Sequence, residues 1–215
     1  MGLPKEVLSA RDQIAEHLAQ FDWSSLTNGK RNVLQTFLTI ASAQGYAAVT
    51  MRSLAKALNI KAPSIYSHFP DGKDDIVAEC LRWHYYNFGI AMLDVIDTID
   101  DTEQLFNKMV NVHFTRQVTI PESELWDMLV ASDRAGQFLR SDIREEIYHW
   151  LGLCENLYLA VAKSLNATDV DTSVKLLLNI LDGDTSWCKW DGTTVHLDKL
   201  NQEMLDASKR LLAIK

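Results

Sequence analysis

Apolar residues recur at three- and four-residue spacing along almost the whole chain, and few stretches alternate as strands do. The pattern predicts an all-α fold. Pro4 to Phe21 reads as a helix with Val7, Leu8, Ile14, Ala15 and Leu18 on one side. A polar break follows at Ser24-Ser25 and Thr27-Asn28-Gly29. Lys30 to Gln44 gives a second helix, with Val33, Leu34, Phe37, Leu38 and Ala41 inward and Gly45 ending it. Thr50 offers an N-cap hydroxyl to a short helix bearing Met51, Leu54, Ala55 and Leu58. Asn59 stands where a left-handed residue commonly closes a helix. Pro63 suits the first turn of the next helix, whose buried side is Ile65 and Phe69.

Beyond this the helices lengthen. Lys73 to Thr98 forms one run and Thr102 to about Val118 another. Pro121 starts a third that ends near Gly136. Ser141 or Asp142 caps a helix to about Leu165. Thr168 or Asp169 caps one over 169–188, Trp190-Asp191-Gly192-Thr193 makes a turn, and the last helix covers 197–214. The long helix from Lys73 reads as a rigid lever between an N-terminal unit and a larger second one.

The second short helix has an unusual outer face. Lys61, Ser64, Tyr66, Ser67 and His68 are on it, and no acid is. Small donors, a cation and an aromatic hydroxyl suit phosphates and base edges. Two short helices with a tight break form a helix-turn-helix, whose second helix enters the major groove. An ordinary helix pair in an all-α protein carries the same spacing, so composition alone does not choose between them.

The surrounding residues do choose. Ala43-Gln44-Gly45-Tyr46, then Val49 to Ala55, then Ile60-Lys61-Ala62-Pro63-Ser64-Ile65-Tyr66-Ser67-His68-Phe69 and Lys73 resemble the N-terminal domain of TetR-family transcriptional repressors over Val33 to Ile76. The loop Pro70-Asp71-Gly72-Lys73 is one residue longer than the commonest family form. The resemblance implies a helix-turn-helix domain over about residues 30–76. Thr50, Arg52 and Lys73 are then expected at phosphates, and Lys61, Tyr66, Ser67 and His68 on the DNA-facing side. Ala62, Pro63 and Ser64 are expected to set sequence preference.

Charge supports this by its distribution. The net charge is −8 over 215 residues, which alone argues against a nucleic-acid binder. Of 21 cations and 29 acids, residues 30–75 hold six and three, a local net of +3 against −11 elsewhere. The field at the contact surface is what steers DNA. Cys80, Cys154 and Cys188 form no Cys-x-x-Cys pair, and no run is long and apolar enough for a membrane span. Free thiols in a reducing cytoplasm, with no membrane partner, are expected.

Candidate chemistry elsewhere is sparse. The histidines show no metal-ligand spacing, and neither a phosphate loop nor a nucleophile elbow is present. No enzyme, catalytic residue, metal or cofactor is expected. Aromatic and Met residues crowd positions 83 to 158, Phe138 among them. They can line a cavity or fill a solid core. The resemblance implies a small-molecule cavity, and Trp83, Phe106, Met109, His113, Arg116, Trp126, Trp150 and Tyr158 are the candidate lining. Arg116 is the candidate partner for an anionic end of a largely apolar ligand. The last two helices carry apolar stripes, Val174, Leu177, Leu178 and Leu181 on one and Leu200, Met204, Ala207 and Leu211 on the other. In the TetR family the matching pair forms a four-helix dimer seam.

The organisation expected is thus an N-terminal helical extension (1–29), a helix-turn-helix domain (30–75) and a helical ligand-binding and dimerisation domain (76–215). The function expected is a homodimeric, ligand-responsive repressor on double-stranded DNA with a palindromic operator, its effector a small molecule. A helical interaction module, or a ligand-independent DNA binder of the same fold, is the alternative.

Overall fold

The computed structural model describes residues 2–136 and 139–214, with the backbone alone at 134 and 135. Phe138 lies outside the described residues. Among these, the regular structure is all helical: α1 (Lys5–Leu18), α2 (Asn28–Gln44), a 3-10 turn (Tyr46–Ala48), α3 (Met51–Ala57), α4 (Ala62–Tyr66), α5 (Lys73–Thr98), α6 (Thr102–Thr119), α7 (Ser123–Gly136), α8 (Ser141–Ser164), α9 (Val170–Leu181) and α10 (Thr194–Leu212). The expected all-α fold and nearly every expected helix are present.

Several boundaries differ, and the clearest have local reasons. The polar break at Thr27 is itself a cap: its hydroxyl accepts from the Lys30 N–H at 3.3 Å, so α2 begins at Asn28. Arg140 rather than Ser141 precedes α8, and Asp169 enters α9 left-handed (φ 44°) without a side-chain cap bond. The helix expected over 169–188 stops at Leu181, because Gly183 follows at once and Ser186 donates to Asp184 in a turn of its own.

Two apolar cores result. One gathers α2, α3, α4 and the start of α5 around Phe37, Leu54, Ile65 and Phe69. It also takes Leu125, Trp126, Leu129 and Val130 from α7 and Ile143 and Ile147 from α8. The other joins α1, the later part of α5, α6, α8, α9 and α10 around Phe106, Met109, Leu157 and Leu177. Trp126 is fully buried and stacks on Phe37 with centroids 6.1 Å apart and an interplanar angle of 2°. Helix α7 therefore packs into the N-terminal core from the far side of the chain.

The N-terminal helix is part of the fold. Val7 and Ile14 are buried, and Arg11 grips Asp97 of α5 through two bonds of 2.9 and 2.7 Å. Close approach at α5 needs Gly89. A Cβ there would stand 2.7 Å from both Leu18 of α1 and Trp150 of α8. Arg82 of α5 holds Glu146 of α8 through bonds of 2.7 to 3.0 Å and Glu79 at 2.9 Å. If α1 is packed as tightly as these contacts imply, Ile14→Ala costs about 2–5 kcal/mol. Urea unfolding measures this, and a change under about 1 kcal/mol means α1 is dispensable to the core.

Candidate DNA-binding surface and ligand cavity

The helix-turn-helix is held at both ends of α3. Thr50 and Ser53 form a reciprocal cap: the Ser53 N–H donates to Thr50 Oγ1 at 3.0 Å and the Thr50 N–H to Ser53 Oγ at 2.8 Å. At the other end Asn59 takes φ 53°. Its N–H donates to the Lys56 carbonyl at 3.2 Å, and the Ile60 N–H to the Ala55 carbonyl at 3.0 Å. That paired closure is the left-handed helix ending the sequence predicts at Asn59, and it turns the chain into α4.

Helix α4 buries Ile65, with Phe69 buried just beyond its end, and exposes Lys61, Pro63, Ser64, Tyr66 and Ser67; Ala62 is half-buried. Arg52 and Lys56 of α3 and Arg31 of α2 are exposed, and none makes an ion pair among the described residues. Two of the three acids of residues 30–75 are occupied. Arg140 Nη1 donates to Asp71 at 2.9 Å and to Asp75 at 3.0 Å. The face around α4 thus presents unpaired cations, while Asp71 and Asp75 beside it are paired.

Two expected contacts are placed differently. Lys73 Nζ donates to the Tyr46 carbonyl at 3.0 Å and sits 3.6 Å from that ring's centroid. Burial lowers its pKa. Lys73 begins α5, where its chain folds back on the 3-10 turn and pins it. His68 is half-buried against the first turn of α2, so close that a Cβ on Gly29 would stand 2.7 Å from Nε2. It follows the end of α4, and its ring turns inward there.

A cavity of about 700 Å³ opens among α5, α6, α7, α8 and the end of α9. His113, Arg116 and Trp150 line it, as expected, and Tyr158 stands behind His113. The other four expected residues do not line it. Trp83 packs edge-on against Trp23 at 4.9 Å, Phe106 and Met109 fill the second core, and Trp126 is in the first. Helical spacing places aromatic residues inward, but the neighbouring helices decide whether a void or a side chain faces them. The lining missed from sequence includes His84, Tyr85, Phe88, Asp127, Leu178 and Asp182. Asp182, just past the end of α9, carried no signal as a lone acid in a loop.

The cavity's polar groups form a network. His113 lies 3.0 Å from the Tyr158 hydroxyl through Nδ1 and 2.6 Å from Asp182 through Nε2. Gln117 donates to Asp127 at 2.8 Å and to the Asp182 carbonyl at 3.2 Å. Burial first, and then the Asp182 charge, push Asp127 up to about 8. Burial, helped by the Arg116 charge, pushes His84 down to about 4. The buried Nε of Arg116 and the buried hydroxyl of Tyr85 have no hydrogen-bond partner among the described residues.

The expected seam residues need correction as well. Val174, Leu177, Leu181, Leu200 and Met204 are buried in the chain's own core, Ala207 and Leu211 are half-buried, and Leu178 lines the cavity. Helix α9 keeps Asp171, Thr172, Lys175 and Asn179 on one side, but its apolar arc is broad, so the stripe does not reveal which apolar residues face out. The exposed apolar residues there are Leu176 and Ile180, with Val195 at the start of α10. All three cysteines are free. Among the described residues, no group of three or more candidate ligands could hold a metal, and no helix is long and apolar enough to cross a membrane.

The capped helix pair, backed by a larger helical body with a cavity, defines the fold of the TetR-type transcriptional regulators. Residues 38–80 match the family described as bacterial regulatory proteins, tetR family, and supply its helix-turn-helix domain. A tetR-family regulatory protein from Rhodococcus RHA1 superposes with a TM-score of 0.74 at 11% identity, covering 88% of this chain and 100% of its own. The ketosteroid transcriptional regulator KstR2 of Mycobacterium tuberculosis gives 0.68 at 16%, covering 89% and 97%. The TetR-family regulator PfmR from Thermus thermophilus gives 0.66 at 17%, covering 83% and 97%. No curated protein matches the sequence. At these identities the structures share the fold.

The raised Asp127 carboxyl has a thermodynamic consequence. Between its ordinary value of 3.8 and about 8, the folded chain keeps a proton that the unfolded chain has lost. This group's contribution to stability therefore falls as pH rises through that window. Asp127→Asn keeps the shape of the protonated acid without the titration. The variant should gain in melting temperature over the parent, and gain more at pH 8 than at pH 5. An equal difference at both pH values would show that Asp127 does not titrate there.

Proposed function

We propose that the protein is a homodimeric, ligand-responsive transcriptional repressor. The observation that carries the reading is the exposed, acid-free face of α4, fixed to α3 by the Asn59 closure and flanked by the unpaired cations Arg31, Arg52 and Lys56. Helix α4 enters the major groove of DNA, with Lys61 and Tyr66 near base edges or phosphates and Arg52 on the backbone. Ala62, Pro63 and Ser64 at the start of α4 set sequence preference. Lys73 serves by bracing the 3-10 turn. Two copies read a palindromic operator, because one such helix makes too few base contacts for selective binding.

The switch runs through α7. One side of this helix lines the cavity with Glu124, Asp127 and Met128, and the other inserts Trp126 against Phe37 of α2. A ligand that moves α7 moves the helix-turn-helix as well. Half-sites on one DNA face lie about 34–36 Å apart, so a few ångströms misalign both recognition helices. A preference of about 1–3 kcal/mol for the misaligned state is enough for several-fold to hundredfold release.

The test is binding to DNA flanking the protein's own gene. Arg52→Ala should weaken binding evenly across sequences and flatten the salt dependence by about one unit of log slope. Tyr66→Ala and Lys61→Ala should each lower affinity while the fold, followed by circular dichroism, is kept. Parent-like binding by all three variants moves the contact surface off α4.

Assembly is tested at the exposed side of α9. Leu176→Glu and Ile180→Glu each place a charge where a partner helix would bury it, at a cost of several kcal/mol if unpaired. Sedimentation should show a dimeric parent and monomeric variants. A monomeric parent, or an intact dimer in both variants, puts the interface elsewhere or removes it.

A further inference from the structure

The cavity's charge is lopsided. Five carboxylates line it (Glu124, Asp127, Glu155, Asp182 and Asp184) against Arg116 and Lys175. Lys175 pairs with Glu155 at 3.7 Å, and His113 faces Asp182 at 2.6 Å. Glu124, Asp127 and Asp184 have no cationic partner among the described residues. Burial first, and then the neighbouring Asp184, raise Glu124. Burial and then the Asp182 charge raise Asp127, so its carboxyl holds a proton where it has no cation.

A second observation points the same way. The buried Tyr85 hydroxyl lines the cavity with no hydrogen-bond partner among the described residues, in the field of Asp127 and Asp182. A buried unpaired hydroxyl is costly, so a ligand group that meets it gains what the empty cavity lacks. Around these polar groups the wall is apolar and aromatic: Phe88, Met128, Val130, Trp150, Leu151 and Leu178. Aromatic faces also attract cations.

We propose that this cavity takes a small organic cation with an apolar or aromatic body, its protonated amine seated between Asp127 and Asp182 within reach of the Tyr85 hydroxyl. This differs from the anionic ligand that Arg116 alone suggests from sequence. Arg116 lines the same cavity but forms no ion pair with either aspartate among the described residues, and the acid whose charge acts on it is Glu122. On binding, the Asp127 carboxyl gives up its proton to solvent, and the resulting carboxylate pairs with the ammonium. The other groups facing Asp127 are Gln117 and His113 of α6, Glu124 of its own helix, Asp182 and Asp184 beyond α9, His84 and Tyr85 of α5, and Cys154 and Glu155 of α8. None of these supplies a lysine or arginine to take the ligand's place.

The proposal rests on the effector reading only for what binding does to DNA. The experiment uses the full chain without DNA and matched probes: the amine, alcohol and carboxylate of a phenylbutyl body and of an octyl body, titrated by calorimetry. The amines should bind about tenfold or more tightly than the alcohols, and the carboxylates weakest, as one good ion pair in a partly buried site gives. Asp127→Asn should remove most of the amine's advantage and leave the alcohols within about twofold. Amine affinity should rise from pH 6 to pH 8, with proton release seen as a dependence on buffer ionisation heat. Carboxylates binding as tightly as amines, an unchanged amine advantage in Asp127→Asn, or no amine binding at about 10 mM each overturns the proposal. Amine binding that leaves a DNA complex intact keeps the ligand class and removes the effector role, so the two readings fail separately.

Discussion

The stack of Trp126 on Phe37 is the contact on which the chain's organisation depends. Without it the helix-turn-helix would be a small unit joined to the body through α5. A unit of that size buries too little surface to be robust alone. By inserting Trp126, Leu125, Leu129 and Val130, α7 lends the first unit a wall from the second. The same helix must then satisfy two environments on opposite sides. Its outer positions Glu124, Asp127 and Met128 are left to the cavity, so a change in the cavity and a change at α2 are two ends of one rigid element.

Charge is arranged with the same economy. The body is acidic, which favours solubility but would repel DNA if its field reached α4. Arg140 answers this locally: from the N-terminal end of α8 it binds Asp71, Asp75 and Asp142. The loop between α4 and α5 would otherwise place free carboxylates beside the recognition helix. Within the cavity Lys175 pairs with Glu155 and His113 faces Asp182, while the buried Asp127 carboxyl holds a proton instead.

How much of this was legible in the sequence depended on range. The Thr50 cap, the Asn59 closure and the Ile65–Phe69 spacing are local, and each follows from its own few residues. So does the family resemblance, which covers only that stretch. The fate of Trp126 and Phe106 was not legible, because an inward aromatic looks the same whether it meets a void or a side chain. Lys73 and His68 resembled surface donors by type. Their partners, the Tyr46 carbonyl and the Gly29 turn, lie 27 and 39 positions away in the chain. The α9 stripe failed for a related reason: its apolar arc is broader than the core needs, and only the position of α6, α8 and α10 selects Leu176 and Ile180 as the outer apolar pair.

The proposed ligand class and the α7 linkage constrain each other. Asp127 is on α7, whereas Asp182 follows α9, so a cation that pairs with both links two elements. A ligand shifts a two-state protein only by the difference in its affinity for the two states. A carboxyl that keeps its proton until a cation arrives offers such a difference: an ammonium pairs with the new carboxylate and with Asp182, and an apolar molecule does not. That pairing draws the end of α9 and α7 together, and α7 transmits displacement to Phe37 because the stacked rings cannot both remain in contact if one helix shifts. In this reading the acidic lining of the cavity, which at first argues against a DNA-binding protein, is what gives a cation leverage over the basic surface at the other end of the chain.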